Sequence, residues 1–202
     1  MTTLLRINDL FWTLQGEGKH AGRRALFVRM PFCDLACSWC DTQFNSFKEW
    51  TELAFMRFAE SERARFAVLT GGEPAMHKDS PRVVHLLRGM GFTVAIETNG
   101  HFKMPSEELG WITVSPKRDA GKFEPYYVHP EVMAQADEFK YVVDAGFDFS
   151  ILDRHDVSDG RRYSLSPEFG GFAENVKRIL DYQKENPAWL LSLQTHKWLG
   201  IP

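Results

Sequence analysis

Apolar residues along the chain are grouped into short runs that alternate with longer polar segments. The runs are rich in β-branched and aromatic side chains, which favour extended strands. They predict six strands and a less distinct seventh, at 25–30, 66–70, 92–98, 111–115, 138–144, 161–166 and 189–195. Because the runs are apolar nearly throughout instead of alternating with polar residues, we expect a sheet that is covered on both faces.

Helical periodicity lies between several of these runs. Residues 50–64 and 172–186 repeat apolar side chains at helical spacing, and 80–91 begins with Ser80 and Pro81, which favour a cap and a first turn. Strands that alternate with helices predict βαβ units and a parallel sheet. About six such units are too few for a closed eight-fold barrel, so the pattern predicts a single α/β domain with an open, partial TIM-like barrel.

Composition and charge disfavour several classes of protein. Hydrophobic residues make up 44% of the 202 residues and aromatic residues 13%, which is typical of a globular chain. The net charge of −3 argues against a nucleic-acid-binding surface as the main function. No apolar run reaches the roughly 20 residues of a membrane helix, and the N-terminal residues lack a signal-peptide pattern, so we expect a cytoplasmic protein without membrane contact.

Polar and glycine-rich segments follow the predicted strands, at the end where parallel α/β proteins carry their functional loops. These segments are 33–42, 71–74, 99–101, 116–119, 166–167 and 196–202. One edge of the predicted sheet therefore collects most of the candidate chemistry.

The three cysteines of the chain, Cys33, Cys37 and Cys40, lie within a single short segment. A disulfide would pair two of them and leave one over, and the reducing compartment that we expect disfavours it. A merely buried cluster does not suit the loop-forming residues between them, which include Asp34 and Ser38. The spacing therefore favours a metal site over both alternatives.

Two kinds of metal site remain open at this point. Structural zinc needs four ligands, so His20, His77 or His101 would have to complete a Cys₃His site, and a second C-x₂-C pair is missing from the sequence. A 4Fe–4S cluster normally takes four thiolates, so three thiolates would leave one iron open to a small molecule. Such a cluster would be reactive and not a simple electron carrier.

The spacing C-x₃-C-x₂-C resembles the cluster motif of the radical S-adenosylmethionine enzymes. The resemblance implies that Cys33, Cys37 and Cys40 hold a catalytic 4Fe–4S cluster that acts on S-adenosyl-L-methionine. In that family an aromatic residue before the last cysteine, here Trp39, lies against the adenine, and a Gly-Gly-Glu segment, here 71–73, binds the amino group of the methionine. Reductive cleavage of the cofactor yields a radical that takes a hydrogen atom from the substrate.

Further segments resemble the 7-carboxy-7-deazaguanine synthases, a family of small homodimeric radical enzymes. They are 12–18, 41–42, 96–100, 115–117 and 194–202. The resemblance implies a lyase that converts 6-carboxy-5,6,7,8-tetrahydropterin into 7-carboxy-7-deazaguanine with loss of ammonia, in the biosynthesis of queuosine and related 7-deazaguanines. It also implies Mg²⁺, an electron donor such as flavodoxin or ferredoxin, and one domain over 1–202 with an N-terminal substrate loop and a C-terminal tail that closes over the substrate.

The same resemblance assigns roles to individual residues. For S-adenosylmethionine it indicates Trp39, Asp41, Gly71, Gly72, Glu73, Glu97, Gly100, Ser115, Pro116, Lys117 and Ser166. For the pterin substrate it indicates Leu14, Gln15, Gly16, Glu17, Arg29, Thr98, His196 and Pro202. Arg29 would face the substrate carboxylate, which a guanidinium group matches with two hydrogen bonds, and Thr42 would hold Mg²⁺.

Plainer interpretations remain open for several of these residues. The segment 12–18 has the composition of a flexible glycine-rich turn, and 194–202 that of a frayed tail. Arg29 suits a surface ion pair and Glu97 a structural salt bridge. The chain also departs from the family pattern at the end of the sixth strand, where Ser166 replaces the usual glutamine.

Two other functions also stay open. Another small radical S-adenosylmethionine enzyme, such as an activating enzyme for a glycyl-radical partner, would share the cysteine loop and the segment GGEP. It would lack the segment LQGEG and the tail QTHK that this chain carries. A Cys₃His zinc-binding interaction module would hold no iron at all.

Overall fold

Residues 4–40 and 42–202, which are the residues that the computed structural model describes, form ten strands and five α-helices. The strands are β1 (Leu4–Ile7), β2 (Asp9–Leu14), β3 (Arg24–Met30), β4 (Lys48–Thr51), β5 (Phe66–Gly71), β6 (Thr93–Thr98), β7 (Trp111–Val114), β8 (Glu138–Val143), β9 (Arg162–Pro167) and β10 (Trp189–Leu191). The helices are α1 (Glu52–Ala59), α2 (Ser80–Gly89), α3 (Pro130–Gln135), α4 (Phe172–Gln183) and α5 (Thr195–Leu199). Short 3₁₀ helices lie at Gly18–His20, Pro74–Met76 and Phe149–Arg154. In the described part of the chain, no helix is long and apolar enough to cross a bilayer.

Eight of the strands form one sheet in the order β10-β9-β8-β7-β6-β5-β3-β2. All neighbours in this sheet run parallel except β2, which pairs antiparallel with β3. β1 and β4 form a separate antiparallel pair. Because β10 and β2 are the two edges of the order, the described sheet is open, and the predicted α/β fold with an open, partial TIM-like barrel is confirmed.

Strand β5 illustrates how the apolar runs produce a sheet that is covered on both faces. All of its first four residues, Phe66–Leu69, are buried. Ala67 and Leu69 pack into the main core with side chains of α1 and α2, whereas Phe66 and Val68 belong to a smaller cluster on the other face. Each large apolar side chain that is buried in this way contributes about 1.5–3 kcal/mol to stability.

The first six predicted strands are confirmed, with shifts of one residue at their ends. The seventh, predicted at 189–195, is wrong in its second half, because β10 ends at Leu191 and Thr195 already begins α5. The helices predicted at 80–91 and 172–186 are confirmed as α2 and α4.

The helix predicted at 50–64 is shorter than expected and spans Glu52–Ala59. The residues before it belong to β4, and Thr51 at the end of that strand caps the helix. Its hydroxyl oxygen accepts a hydrogen bond from the backbone N–H of Ala54 at 3.2 Å, which fixes the first turn two residues later than predicted. β1, β2, β4, α3 and α5 have no counterpart among the predicted elements.

Candidate active site

The carboxyl ends of the parallel strands surround a cleft with a volume of about 230 Å³. Loops after β3, β5, β6 and β7 form part of its wall, and residues near both ends of the sequence form the rest. The predicted site residues that line the cleft are Leu14, Gln15, Glu17, Arg29, Cys33, Cys37, Trp39, Cys40, Thr42, Gly71, Gly72, Glu73, Glu97, Thr98, Ser115, Lys117, His196 and Pro202. The cleft therefore lies at the edge of the sheet where the polar and glycine-rich segments were expected to meet.

Among the predicted site residues that the structure describes, four lie outside this cleft, namely Gly16, Gly100, Pro116 and Ser166. Pro116 lines a neighbouring cavity of about 230 Å³, and Ser166 is buried next to the cleft on β9. Gly16 packs directly against the imidazole ring of His196, and Gly100 is buried within the loop after β6. Asp41 lies outside the described residues.

All three cysteine side chains line the cleft and carry free thiols. Burial raises the pKa of Cys33 to about 12 and also raises the pKa of Cys37. The thiolate forms are therefore unfavourable in the protein alone, and iron cations would stabilise them with release of protons. Three thiols in one cleft, in a chain without a fourth cysteine, fit a 4Fe–4S cluster with one iron open to a small molecule.

The three histidines considered as zinc ligands have other surroundings. His20 packs against the ring of Phe66 with the centroids 4.7 Å apart, and His77 accepts a hydrogen bond from a backbone N–H two residues later. His101 pairs with Asp34. Within residues 4–40 and 42–202, no group of three His, Cys, Asp or Glu side chains is suited to hold a single metal ion, so the structure gives no support to a Cys₃His zinc site.

The loop after β6 fixes the cysteine loop through Asp34. The side-chain amide of Asn99 donates to Oδ1 of Asp34 at 2.8 Å, and Nδ1 of His101 lies 2.6 Å from Oδ2. The side chain of His101 is fully buried and packs against the ring of Phe123, with the centroids 4.6 Å apart. Since Asp34 directly follows Cys33, this contact holds the first thiol of the loop in place.

The segment Gly71–Glu73 lies tightly against the end of β3, which explains why two glycines precede the glutamate. Gly71 has a φ of 113°, a conformation that glycine adopts easily and other residues rarely adopt. A Cβ on Gly72 would collide with the backbone carbonyl of Phe32. That same carbonyl accepts a hydrogen bond from the N–H of Glu73 at 2.8 Å, so the segment is held against the start of the cysteine loop.

Glu73 is almost fully buried and is surrounded by hydrogen-bond donors. Its carboxylate accepts from the N–H of Asn99 at 2.7 Å, from the N–H of Ala75 at 2.9 Å and from the hydroxyl of Thr98 at 2.8 Å. Burial nevertheless outweighs these bonds and raises the pKa of Glu73 to about 7. A cationic amino group at this carboxylate would favour its ionised form.

Lys117 lies over the ring of Trp39, with Nζ 5.4 Å from the ring centroid. Its ammonium group donates to the backbone carbonyl of Ser115 at 2.7 Å and to the hydroxyl of the same residue at 2.6 Å. Burial lowers the pKa of Lys117 to about 8. The loop after β7 therefore brings a cation and an aromatic face together beside the cysteine loop.

Elsewhere in the cleft, Lys140 on β8 forms ion pairs with both Glu17 and Glu97, each at 2.8 Å. Burial disfavours the Glu17 carboxylate, but the ion pair outweighs it and lowers the pKa of Glu17 to about 2. Burial raises the pKa of Glu97 in spite of Lys140. Glu97 thus forms the structural salt bridge that its plainer interpretation required, and it also lines the cleft.

The C-terminal segment is anchored to the loop after β2. Both the backbone N–H and the hydroxyl of Thr195 donate to the carbonyl of Gly16, at 3.1 and 2.9 Å. The hydroxyl of Thr13 donates to the backbone oxygen of Pro202 at 2.8 Å. These contacts do not suit a frayed tail, nor a flexible turn at 12–18.

Arg29 has features both of a surface ion pair and of a residue that could bind an anionic group in the cleft. Its guanidinium group lies 4.0 Å from the carboxylate of Asp9 and over the ring of Phe11, which is the weak surface contact of the plainer interpretation. It also lines the cleft, so it is available to an anionic group there.

Several lining residues were not singled out from the sequence. They are Phe27, Leu35, Phe44, Thr70, Asn99, Lys140, Val142 and Gln194. Asn99 and Gln194 lie inside the segments 96–100 and 194–202, so the motifs contained a signal for them. No sequence signal marked Lys140 as a site residue, because it lies within a predicted strand and its partners are distant in sequence.

No family model matches this sequence. The chain is 36% identical to 7-carboxy-7-deazaguanine synthase of Burkholderia multivorans, with 97% of this chain and 98% of that protein covered. It is 35% identical to 7-carboxy-7-deazaguanine synthase of Synechocystis, with 100% and 95% covered. The crystal structure of QueE from Escherichia coli matches with a TM-score of 0.78 and 27% identity, over 94% of this chain and 93% of that one.

A more distant likeness concerns the fold alone. The structure of Streptococcus suis SuiB bound to S-adenosylmethionine matches with a TM-score of 0.52 and 16% identity, over 82% of this chain and 48% of that one. The nearly full-length relatives decide the family, because both their identity and their coverage of each chain are high. The chain belongs to the 7-carboxy-7-deazaguanine synthase family of radical S-adenosylmethionine enzymes.

Proposed function

We propose that this protein converts 6-carboxy-5,6,7,8-tetrahydropterin into 7-carboxy-7-deazaguanine with release of ammonia, in the biosynthesis of queuosine and related 7-deazaguanines. The observation that carries the proposal is the composition of one cleft. Its first wall bears the three thiols, Trp39 and Glu73, and its second wall bears Gln15 and Glu17. The first set suits a cluster with its cofactor, and the second suits a flat ring with several hydrogen-bond donors and acceptors.

Cys33, Cys37 and Cys40 would hold the 4Fe–4S cluster. With S-adenosyl-L-methionine, the bound cluster supplies radical abstraction of a hydrogen atom from the substrate. The buried carboxylate of Glu73 would accept hydrogen bonds from the cofactor's amino group, and Trp39 would pack against its adenine. Further cofactor contacts are proposed for Asp41, Gly71, Gly72, Glu97, Gly100, Ser115, Pro116, Lys117 and Ser166.

The second wall would bind and orient the pterin. Arg29 would pair with its carboxylate, since a guanidinium group donates two parallel hydrogen bonds to such a group. The remaining substrate contacts are proposed for Leu14, Gln15, Gly16, Glu17, Thr98, His196 and Pro202. The hydroxyl of Thr42 would be a protein ligand of Mg²⁺, which commonly keeps several waters and takes few protein groups.

The electron donor, the cellular compartment, the oligomeric state and the domain organisation are also proposals. A flavodoxin or ferredoxin would supply the electron, and the protein would act in the cytoplasm as a homodimer. Residues 1–202 would form one domain, in which the N-terminal loop at 12–18 binds substrate and the tail at 194–202 closes over it. The hydrogen bonds between these two segments support that arrangement.

Anaerobic turnover tests the proposal. The protein is reconstituted with iron and sulfide and incubated with S-adenosyl-L-methionine, Mg²⁺, a chemical reductant and the tetrahydropterin. The expected product has the mass of 7-carboxy-7-deazaguanine and appears together with ammonia. Cluster-loaded protein that cleaves the cofactor but leaves the tetrahydropterin unchanged would contradict the proposal and favour another small radical enzyme.

A further inference from the structure

We propose that Lys140 is a positioning residue for the pterin ring, because its ammonium group bridges Glu17 and Glu97 and holds the two carboxylates at a fixed spacing in the cleft wall. This inference rests on the proposed function. Nζ of Lys140 lies 2.8 Å from Oε2 of each carboxylate. The lysine is only 7% exposed, so solvent does not screen either ion pair strongly.

The second oxygen of each carboxylate is also bound. The side-chain amide of Gln194 donates to Oε1 of Glu17 at 2.9 Å, and the amide of Gln15 donates to Oε1 of Glu97 at 3.2 Å. Each carboxylate therefore has one oxygen on Lys140 and the other on an amide, which prevents its rotation. The five side chains form one connected network, and all of them line the cleft.

This network leaves hydrogen-bonding capacity for a ligand. An ionised carboxylate offers about four acceptor positions, and the lysine and the amide occupy two of them on each glutamate. The pyrimidine part of a pterin presents a ring N–H and an amino group side by side, which suit the remaining acceptors of an ionised carboxylate. A protonated carboxyl group would instead present its O–H, which is itself a donor, to the ring N–H and the amino group of the pterin.

The charges around the network make Lys140 necessary to keep both carboxylates ionised. Two buried carboxylates that share a site repel each other, so without a cation at least one of them binds a proton. Other charged or titratable groups near the network are Lys117, Glu138 and His196, and Lys197, whose ammonium group donates to Oε1 of Gln194 at 2.9 Å. In the structure the direct ion pairs of both glutamates are nevertheless made by Lys140.

The test measures binding of 6-carboxypterin, a fluorescent aromatic analogue of the substrate, to cluster-loaded protein between pH 5.5 and 8. We expect Lys140→Met to weaken binding at pH 7 by about tenfold or more, which corresponds to about 1.4 kcal/mol. The fall in its affinity with decreasing pH should also begin at a higher pH than in wild-type protein, because the ion pairs with Lys140 favour the ionised form of both carboxylates. Lys103→Met removes an exposed lysine that pairs with Glu131 and serves as the matched control, with wild-type behaviour expected.

A second variant covers the case in which Lys140→Met does not fold. Lys140→Met combined with Glu97→Gln removes one charge of each sign and leaves Glu17 without its cation. We expect the affinity of this variant for the analogue to begin to fall at a higher pH than that of wild-type protein. Wild-type affinity with the wild-type pH profile in either folded variant would overturn the inference. Failure of the proposed function is distinguishable, because wild-type protein would then neither bind the analogue nor convert the tetrahydropterin.

Discussion

Thr195 donates both its backbone N–H and its hydroxyl to the carbonyl oxygen of Gly16, at 3.1 and 2.9 Å. The two residues are 179 positions apart in sequence, yet this contact joins helix α5 to the loop after β2. β2 and β10 are the two edges of the open sheet, so the contact bridges its open side. One wall of the cleft is thereby built from both ends of the chain.

This close approach predicts that Gly16→Ala damages the cleft. A Cβ at this position would collide with the imidazole ring of His196, so α5 has to move away from the loop after β2. We expect a KM for the tetrahydropterin that is at least several-fold higher and a loss of about 1–3 kcal/mol in the free energy of unfolding. Steady-state kinetics and urea denaturation measure the two effects.

Gly89→Ala is the matched control for that substitution. Gly89 lies in α2 with nothing within 4 Å of the position that a Cβ would take. Alanine favours a helix by about 1 kcal/mol over glycine, so this variant should be as stable as wild type or more stable, with unchanged kinetics. Equal effects of the two substitutions would contradict the role given to Gly16.

The raised pKa of Glu73 predicts that cofactor affinity depends on pH. Burial raises this pKa to about 7, so the carboxylate is mostly protonated at pH 6 and mostly ionised at pH 8. If the ionised form binds the amino group of S-adenosyl-L-methionine, affinity rises by about tenfold over that range. Equilibrium binding to cluster-loaded protein at several pH values measures this change.

Glu73→Gln separates this carboxylate from the titration of the cofactor's own amino group. The amide carries no charge, so we expect weaker binding and a smaller change in affinity between pH 6 and 8. A variant with the same slope as wild type would show that Glu73 is not the titrating group.

The contact between His101 and Asp34 predicts a role in cluster retention. Replacement of His101 by Phe keeps an aromatic ring in the buried site but removes one of the two partners of Asp34, at 2.6 Å in the structure, and leaves Asn99 as the other. We expect folded protein with a lower iron content after reconstitution and faster loss of the cluster in the presence of a chelator. His85→Phe alters an exposed histidine and should retain wild-type iron content; an equal loss in both variants would argue against a specific anchor.

Local sequence signals were sufficient for the first wall of the cleft. The cysteines all lie within 33–40, the two glycines and the glutamate are contiguous in 71–73, and each segment follows a mainly apolar strand. Both the strand and the loop after it are therefore recognisable without knowledge of distant contacts. The same holds for α4, in which apolar side chains recur at helical spacing.

The second wall depends on contacts that no local pattern contains. Lys140 is one of two charged residues in strand β8, and it lies 43 positions from Glu97. Only the arrangement of β6, β8 and the loop after β2 around the cleft brings its ammonium group between two carboxylates. The short strands β1 and β4 were missed for a similar reason, because each is stabilised by pairing with the other across more than forty residues.

Iron and acid-labile sulfide contents of anaerobically reconstituted protein test the central claim most directly. We expect about four iron and four sulfide ions per wild-type chain, and folded Cys37→Ala protein that holds no stable cluster and gives no product. Wild-type protein that binds zinc instead of iron would contradict it. Cys37→Ala protein that keeps both the cluster and the activity would contradict it equally.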